Sequence, residues 1–228
     1  KAGKKQVKVI LENGDQSEEK SFDKVLVAVG RKPNSDGIGL EKAGVETDDK
    51  GFIKVDKERR TTAKNIFAIG DLTGEPLLAH KATHEGRMAA EVIAGKAGAG
   101  YDPKVIPGIV FTNPEIAWCG LTETEAKEKG IDIKVAKFPW SASGRAAAIG
   151  TANGLTKLII EPETGRILGG GVAGKNAGSL IPEIALAVEM ASTAEDLALT
   201  IHPHPTLSET IMESAEIYLG GATHYLGK

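Results

Sequence analysis

The eight residues HPHPTLSE, at positions 202–209, combine residue types that can do acid–base chemistry with residue types that begin a helix. Histidine changes its charge near neutral pH, and a carboxylate about one helical turn away can fix its tautomer and raise its basicity. His204 and Glu209 have the spacing for such a pair. Thr206 and Glu209 also match the S/T-x-x-E capping box that opens a helix. From these residues alone, a catalytic pair and a capping turn both stay open, and one glutamate can serve in both.

A second candidate site involves Asp71, which follows the apolar segment NIFAI (65–69). Ligands of α/β sheets bind at the carboxyl ends of strands, where a carboxylate can accept hydrogen bonds from a sugar-like hydroxyl chain. A turn aspartate that bonds to nearby backbone N–H groups fits this segment equally well. Shortly afterwards, LLAH (77–80) starts a predicted helix whose free N–H groups favour an electron-rich ring or an oxyanion. The two features together favour a ligand site.

Three further motifs carry weaker signals. His80 and His84 have the spacing of a metal chelate, but no third ligand is near, so no metal site is predicted. GGGVAG (169–174) fits G-x-G-x-x-G, yet it follows a tight hairpin and the next predicted helix starts only near residue 180. We therefore predict glycines that allow close strand packing. Cys119, the only cysteine, lies in an apolar segment and is predicted to be a core residue.

The composition excludes several classes of partner. The chain has 228 residues, with 28 basic and 31 acidic side chains, so its net charge of −3 lacks the positive excess that nucleic acid or an anionic membrane attracts. No apolar run approaches the roughly 20 residues that span a bilayer. A single cysteine fits a reducing compartment, and a cytoplasmic location is predicted. It also excludes a dithiol redox centre within this sequence.

Periodicity and turn signals divide the chain into units at 1–30, 31–103 and 104–228, and these units contain the elements that hold the candidate residues. The last boundary follows the Gly/Ala-rich stretch GKAGAGYDP (95–103). The first two units are predicted to have α/β structure. The third is predicted to be an α+β domain with an antiparallel sheet and helices on one side. Because the chain begins with Lys1 and opens directly into strand-like sequence, we expect a carboxy-terminal portion of a longer protein.

Turn and capping signals place the individual elements within these units. Strands are predicted at 6–12, 22–30, 51–55, 65–69, 109–112, 116–121, 133–138, 155–161 and 166–172. Helices are predicted at 77–95, 122–130, 180–191, 194–199 and 206–219, with a short helical stretch at 38–43. Thr122 and Glu125 form a second capping box.

Six segments, in this order along the chain, resemble the carboxy-terminal half of the dihydrolipoamide dehydrogenase family, the flavin disulfide oxidoreductases of 2-oxo acid dehydrogenase complexes. They are VLVAVGRKPN, NIFAIGD, EPLLAHKATHEG, TNPEIAWCGLTE, FPWSASGRA and IHPHPTLSE. GRKPN and AIGD are shared by many flavin disulfide reductases, whereas FPWSASGRA with HPHPTLSE is similar to the lipoamide branch. The resemblance covers essentially the whole chain. It implies the end of an NAD-domain sheet, the carboxy-terminal part of a doubly wound FAD-binding domain, and an interface domain.

The resemblance also implies roles for particular residues. Asp71 would hold the ribityl chain of FAD, and Gly30 would approach NAD. His204 would be the base that deprotonates dihydrolipoamide, with Glu209 orienting its ring, and in this family that histidine serves the active site of the other subunit. His202 does not match the catalytic position and is assigned to packing. The backbone at the start of the first long helix would meet the pyrimidine edge of the flavin, at Leu77, Leu78, Ala79 and His80.

A homodimer formed through residues 104–228 is implied as well, with a lipoyl domain of a 2-oxo acid dehydrogenase complex as partner. The family's amino-terminal glycine fingerprint, its C-x-x-x-x-C pair and most of its NAD domain have no counterpart in this sequence, so the chain alone is expected to be inactive. Cys119 cannot replace the pair, because thiol–disulfide exchange needs two thiols at the flavin. Two alternatives stay open: another flavin disulfide reductase, of the glutathione or mercuric reductase type, and a non-catalytic dimerisation module.

Overall fold

The computed structural model describes residues 6–225, so the outermost residues of the predicted units 1–30 and 104–228 lie outside the described part. The strands within that part are β1 (Val7–Asn13), β2 (Gln16–Phe22), β3 (Gly108–Val110), β4 (Glu115–Gly120), β5 (Lys134–Pro139), β6 (Leu155–Ile160) and β7 (Ile167–Gly174). The α-helices are α1 (Ala79–Ile93), α2 (Glu123–Lys129), α3 (Gly144–Ala148), α4 (Ala177–Glu189), α5 (Ala194–Leu199) and α6 (Glu209–Leu219). No helix between residues 6 and 225 has both the length and the apolar character to cross a bilayer.

The carboxy-terminal half is built on one antiparallel sheet with the strand order β3-β4-β7-β6-β5. Alternate residues of β4 separate its two faces: Ala117 and Cys119 are buried, whereas Ile116 and Trp118 are exposed. On the buried face, α4 packs against β4 and β7, and α6 packs against β5 and β6. Side chains from all these elements form a single hydrophobic cluster. The antiparallel sheet with helices on one side agrees with the α+β prediction.

The glycines of GGGVAG lie inside β7 and serve packing, as the sequence predicts. A Cβ at Gly174 would lie 2.4 Å from the ring of Trp140, and a Cβ at Gly170 would lie 2.6 Å from the carbonyl oxygen of Lys157. Trp140 is completely buried and donates its Nε1–H to the hydroxyl of Thr156 at 2.9 Å. Only residues without a side chain therefore allow β7 to approach this indole and the neighbouring backbone so closely.

Residues 6–72 differ most from the prediction. β1 and β2 form the expected hairpin, but the strand predicted at 22–30 is wrong, because residues 23–30 lie outside regular structure and are exposed. The strands predicted at 51–55 and 65–69 are reduced to single bridges, Thr47 with Ile53 and Arg60 with Phe67. A strand is stabilised by the hydrogen bonds of a neighbouring strand, and the described sheet pairings join β1 and β2 only to each other.

Helix boundaries follow the capping chemistry. The Thr122–Glu125 capping box is present in full, since Thr122 Oγ1 accepts the N–H of Glu125 and the Glu125 carboxylate accepts the N–H of Thr122. α4 begins earlier than predicted because Asn176, in a left-handed conformation with φ 63°, starts it directly after β7. The short helical stretch expected near 38–43 is a 3-10 turn at Leu40–Ala43.

Candidate functional site

The structure places His204 and Glu209 in direct contact. Nδ1 of His204 lies 2.8 Å from Oε1 of Glu209. An ionised carboxylate only accepts hydrogen bonds, so this contact puts the proton on Nδ1 and leaves the lone pair of the neutral ring on Nε2. The His204 side chain is 68% exposed, whereas that of Glu209 is 15% exposed. The pair therefore consists of an accessible imidazole held by a largely buried carboxylate.

The capping box predicted for Thr206 and Glu209, at the start of α6, is only half formed. Oε2 of Glu209 accepts the backbone N–H of Thr206 at 2.7 Å, which is one half of the box. The other half is missing, because the Thr206 hydroxyl donates to the carbonyl of Pro203 at 2.7 Å and the helix begins only at Glu209, after Ser208. Glu209 thus uses one carboxylate oxygen for the backbone and the other for His204, so the turn and the pair share it.

Burial, hydrogen bonds and neighbouring charges act in opposite directions on the pKa of Glu209. Burial by itself raises the pKa of this carboxyl, but the hydrogen bonds from the Thr206 N–H and from His204, together with the positive charge of His204 and His224, hold the pKa below its usual value. A carboxylate that stays ionised can stabilise positive charge on the neighbouring imidazole. Glu209 is therefore placed to fix the tautomer and the orientation of the His204 ring.

A second histidine–carboxylate pair, which sequence reasoning missed, adjoins the first. His224 contacts Glu213 through its Nδ1, and the Glu213 side chain is only 3% exposed. The hydrogen bond and charge of Glu213 raise the pKa of His224 above its usual value. Both pairs border a cavity of about 80 Å³ whose lining residues also include Phe138 and Ser143. The partners are eleven residues apart across the Gly220 turn, and no motif in the sequence joins them.

Asp71 lies in a 3-10 turn, Gly70–Leu72, and its carboxylate is not used for a local turn. Its Oδ2 accepts Nη1 of Arg31 at 3.0 Å, and it caps no backbone N–H within residues 6–225. Asp48 and Asp56, by contrast, each accept backbone N–H groups two and four residues further along. The ordinary turn role considered for Asp71 therefore belongs to these other aspartates, and the Asp71 carboxylate is partly exposed beside an arginine.

A buried charge network holds the turn that carries Asp71. Oε2 of Glu85 accepts the Gly70 N–H at 2.6 Å, and Nζ of Lys81 donates to the Gly70 carbonyl at 2.9 Å. Glu85 also pairs with Lys81 at 3.3 Å and with Arg59 at 3.1 Å. The Glu85 side chain has no exposed surface, and that of Lys81 is 5% exposed. The N–H and the C=O of Gly70 are thus both bonded to side chains of α1, a feature that the sequence reasoning missed.

The amino end of α1 contains the other predicted contact residues. Leu78 is the N-cap, no side chain caps the helix, and its first turn has no acidic residue, so the N–H groups of Ala79 and His80 are free for an acceptor. The carbonyl of Leu77 accepts Nη2 of Arg31. Nε2 of His80 lies 2.8 Å from the carbonyl oxygen of Pro107. A partly exposed carboxylate and an uncapped helix end fit the hydroxyl chain and the electron-rich ring edge of a flavin.

The remaining candidates, Gly30 and Cys119, differ in their surroundings. Gly30 has φ 145°, and no atom lies within 4 Å of the position of its absent Cβ, so a ligand can approach its backbone. Cys119 is buried, and burial raises the pKa of its thiol to about 12, which is the behaviour of a core residue. Across residues 6–225, no group of three or more histidine, cysteine, aspartate or glutamate side chains is arranged to hold a metal.

Comparison with known families agrees with this arrangement. Residues 106–215 match the dimerisation domain of pyridine nucleotide-disulphide oxidoreductases, and residues 1–86 match the pyridine nucleotide-disulphide oxidoreductase domain. The chain belongs to this family of flavin disulfide oxidoreductases, and the two domain matches agree with the fold class predicted from the sequence.

Individual curated relatives indicate which members of this family the chain is similar to. The chain is 56% identical over 202 residues to a dihydrolipoyl dehydrogenase of Vibrio cholerae, covering 89% of this chain and 42% of the relative. It is 54% identical over 215 residues to the dihydrolipoyl dehydrogenase of Haemophilus influenzae, covering 94% of this chain and 45% of the relative. The predicted family resemblance is confirmed, and the chain spans just under half the length of these relatives.

Solved structures show the same fold. The copper(II) complex of the HOCl-induced flavoprotein disulfide reductase RclA from Escherichia coli matches with a TM-score of 0.86 and 28% identity, over 95% of this chain and 48% of that one. LpdA from Mycobacterium tuberculosis matches with a TM-score of 0.82 and 29% identity, over 92% of this chain and 47% of that one. The arrangement of α-helices and strands is therefore that of flavoprotein disulfide reductases.

Proposed function

We propose that the chain is the carboxy-terminal part of a dihydrolipoyl dehydrogenase, which oxidises protein-bound dihydrolipoamide to lipoamide and reduces NAD. The observation that carries the proposal is the contact between Nδ1 of His204 and the ionised Glu209, at 2.8 Å. An exposed imidazole with its lone pair on Nε2 can take a proton from a thiol. The thiolate that results is the reactive form of sulfur. Glu209 then stabilises the imidazolium that forms.

The residues around Asp71 support FAD as the cofactor. FAD, when bound, would pass the electrons of the dithiol on to NAD. Asp71 would accept hydrogen bonds from the ribityl hydroxyls, and the free N–H groups at the start of α1 would face the pyrimidine edge, at Leu77, Leu78, Ala79 and His80. The network of Glu85 and Lys81 keeps the Asp71 turn fixed. Gly30 would lie beside NAD, because its backbone is open to a ligand.

The organisation of the whole protein follows from the same proposal. Residues 1–30 would end an NAD-binding domain, residues 31–103 would complete an FAD-binding domain, and residues 104–228 would form the dimer. His204 would then act in the active site of the other subunit, and a lipoyl domain of a 2-oxo acid dehydrogenase complex would deliver the substrate. A cytoplasmic location fits the single buried cysteine. The redox cysteine pair would belong to the part of the enzyme outside this sequence.

A chimaera tests the proposal. This chain would replace the matching carboxy-terminal part of the Vibrio cholerae relative, so that the hybrid has both halves of the family. We expect the hybrid to retain FAD and to reduce NAD with dihydrolipoamide but not to turn over glutathione disulfide. His204→Gln should lower turnover by about 10²- to 10⁴-fold, the usual contribution of a general base, without loss of bound FAD. A hybrid that binds FAD but shows no dihydrolipoamide oxidation, or a His204→Gln hybrid with near-normal turnover, would contradict the proposal.

A further inference from the structure

His202 lies two residues before His204 on an otherwise exposed segment. Its side chain is 5% exposed, whereas every other residue between 199 and 205 is exposed. The side chain of Ile201 is 95% exposed. His202 is therefore the one residue of this segment whose side chain turns away from solvent, directly before the proposed base.

Both ring nitrogens of His202 contact acceptors. Nδ1 lies 2.7 Å from the carbonyl oxygen of Thr200, and Nε2 lies 2.6 Å from Oε1 of Glu183. A carbonyl oxygen and an ionised carboxylate both accept hydrogen bonds and cannot donate them. The ring therefore has an acceptor within hydrogen-bond distance of each nitrogen, and one of the two is the Glu183 carboxylate.

The two contacts attach the segment to two helices. Glu183 belongs to α4, whose Ile181 and Ile184 lie in the hydrophobic core, so this helix is a rigid support. Thr200 follows the last residue of α5. The ring of His202 therefore links the end of α5 to the middle of α4, upstream of His204. Downstream of His204, Glu209 holds the backbone of the segment through Thr206.

We propose that His202 is a positioning residue for His204, an inference that rests on the base role proposed above for His204. Its ring, held by Glu183 and by the Thr200 carbonyl, keeps residues 200–205 in one conformation, so that His204 meets its reactant from a fixed position. A displacement of about 1 Å in a reacting group can lower a rate by roughly 100-fold. Packing alone, the role assigned to His202 from the sequence, requires no acceptor beside either ring nitrogen.

Nuclear magnetic resonance of the 228-residue chain, with ¹⁵N-labelled histidine at pH 7, tests whether His202 positions His204. It requires no measurement of enzymatic turnover. We expect the Nδ1–H tautomer of His204 in the unmodified chain. Glu183→Gln and His202→Asn should each shift the His204 ring signals toward a mixture of tautomers. Glu163→Gln, which removes a charge from an exposed side chain, is the matched control and should leave them unchanged. His204 signals that are the same in both variants as in the control would overturn the proposal.

The chimaera described above then measures the effect on catalysis. Glu183→Gln and His202→Asn should lower kcat about 10- to 100-fold while KM stays within about twofold, because they misplace the base without removing substrate contacts. Glu163→Gln should match the unmodified hybrid. Variants whose kcat stays within about twofold of this control would overturn the positioning role. An inactive hybrid with His202 intact would instead count against the proposed function, since the magnetic resonance test does not depend on it.

Discussion

At the scale of single residues, α6 carries two carboxylates one helical turn apart, and each holds a histidine from a different part of the chain. Glu209 pairs with His204, which precedes the helix, and Glu213 pairs with His224, which follows it. The charge of Glu209 also contributes to the raised pKa of His224, and the charge of His224 contributes to the lowered pKa of Glu209. The two pairs are therefore electrostatically linked, and a change in one should be measurable in the other.

The His224–Glu213 pair should stabilise the fold in acid and lose that contribution as the pH rises. Glu213 raises the pKa of His224 above its unfolded value of 6.5. A raised folded pKa gives a contribution that is complete below the unfolded pKa and disappears as the pH passes the folded pKa. His224→Asn should therefore lower the melting temperature more at pH 6 than at pH 9, measured by circular dichroism. His84→Asn, at an exposed site on α1, is the control, and an equal loss at both pH values would refute the assignment.

At the scale of elements, the link between α1 and the turn before it depends on a buried carboxylate. Glu85→Gln keeps an oxygen for the Gly70 N–H but removes the charge that Lys81 and Arg59 face. Loss of one partner from a buried ion pair costs about 3–5 kcal/mol, and we expect a decrease near the lower end in the free energy of unfolding by urea. Glu46→Gln removes a carboxylate from an exposed pair and should cost less than about 1 kcal/mol. Equal costs for the two variants would contradict the structural role of Glu85.

The close approach of β7 to Trp140 gives a second prediction for an element. A methyl group at Gly174 would lie 2.4 Å from the buried indole, so Gly174→Ala should lower the free energy of unfolding by about 1–3 kcal/mol, as overpacking does. Gly144→Ala, at the start of α3, meets no atom within 4 Å and should raise stability by up to about 1 kcal/mol. Urea denaturation of both variants tests the difference. A neutral Gly174→Ala would show that the strand can move away from Trp140.

A structural feature could be predicted from the sequence where the residues that cause it lie close together in the chain. The capping box of Thr122 and the helix after LLAH follow from residues close in sequence, and so does the proximity of His204 to Glu209. The pairing of Glu85 with Arg59 joins residues 26 apart, and that of Glu213 with His224 crosses a turn, so no local pattern indicates either. The predicted strand at 22–30 was wrong for the same reason, because periodicity marks an apolar segment but does not supply its neighbouring strand.

At the scale of the whole molecule, hydrogen bonds within residues 6–225 do not connect the two candidate regions. The ring of His204 bonds to Glu209, and the Asp71 turn bonds to Arg31, Lys81 and Glu85, so residues 6–225 contain no hydrogen bond that joins the base to the predicted flavin site. Under the proposed function, His204 would serve the flavin site of the other subunit, and no such bond within one chain would be needed. The dimer is therefore part of the proposed catalytic site, and the association of the chain becomes a test of it.

Exposed apolar side chains in residues 104–228 give that association a surface. They include Phe111, Leu186, Met190, Leu199 and Ile201. Burial of such side chains between two copies of the chain would favour association, because it removes apolar surface from water. We expect light scattering of the purified chain to give about twice the 23.9 kDa of the monomer.

Ile201→Glu should shift this mass toward the monomer, because a charge would be buried at the interface beside the proposed base. Ile93→Glu places the same charge at the end of α1, outside residues 104–228, on a side chain that is 66% exposed, and should leave the dimer intact. If Ile201→Glu remained dimeric while Ile93→Glu dissociated, the chain would associate through its first hundred residues. His204 would then have no route to a partner's flavin, and a base acting within its own subunit would replace the shared site.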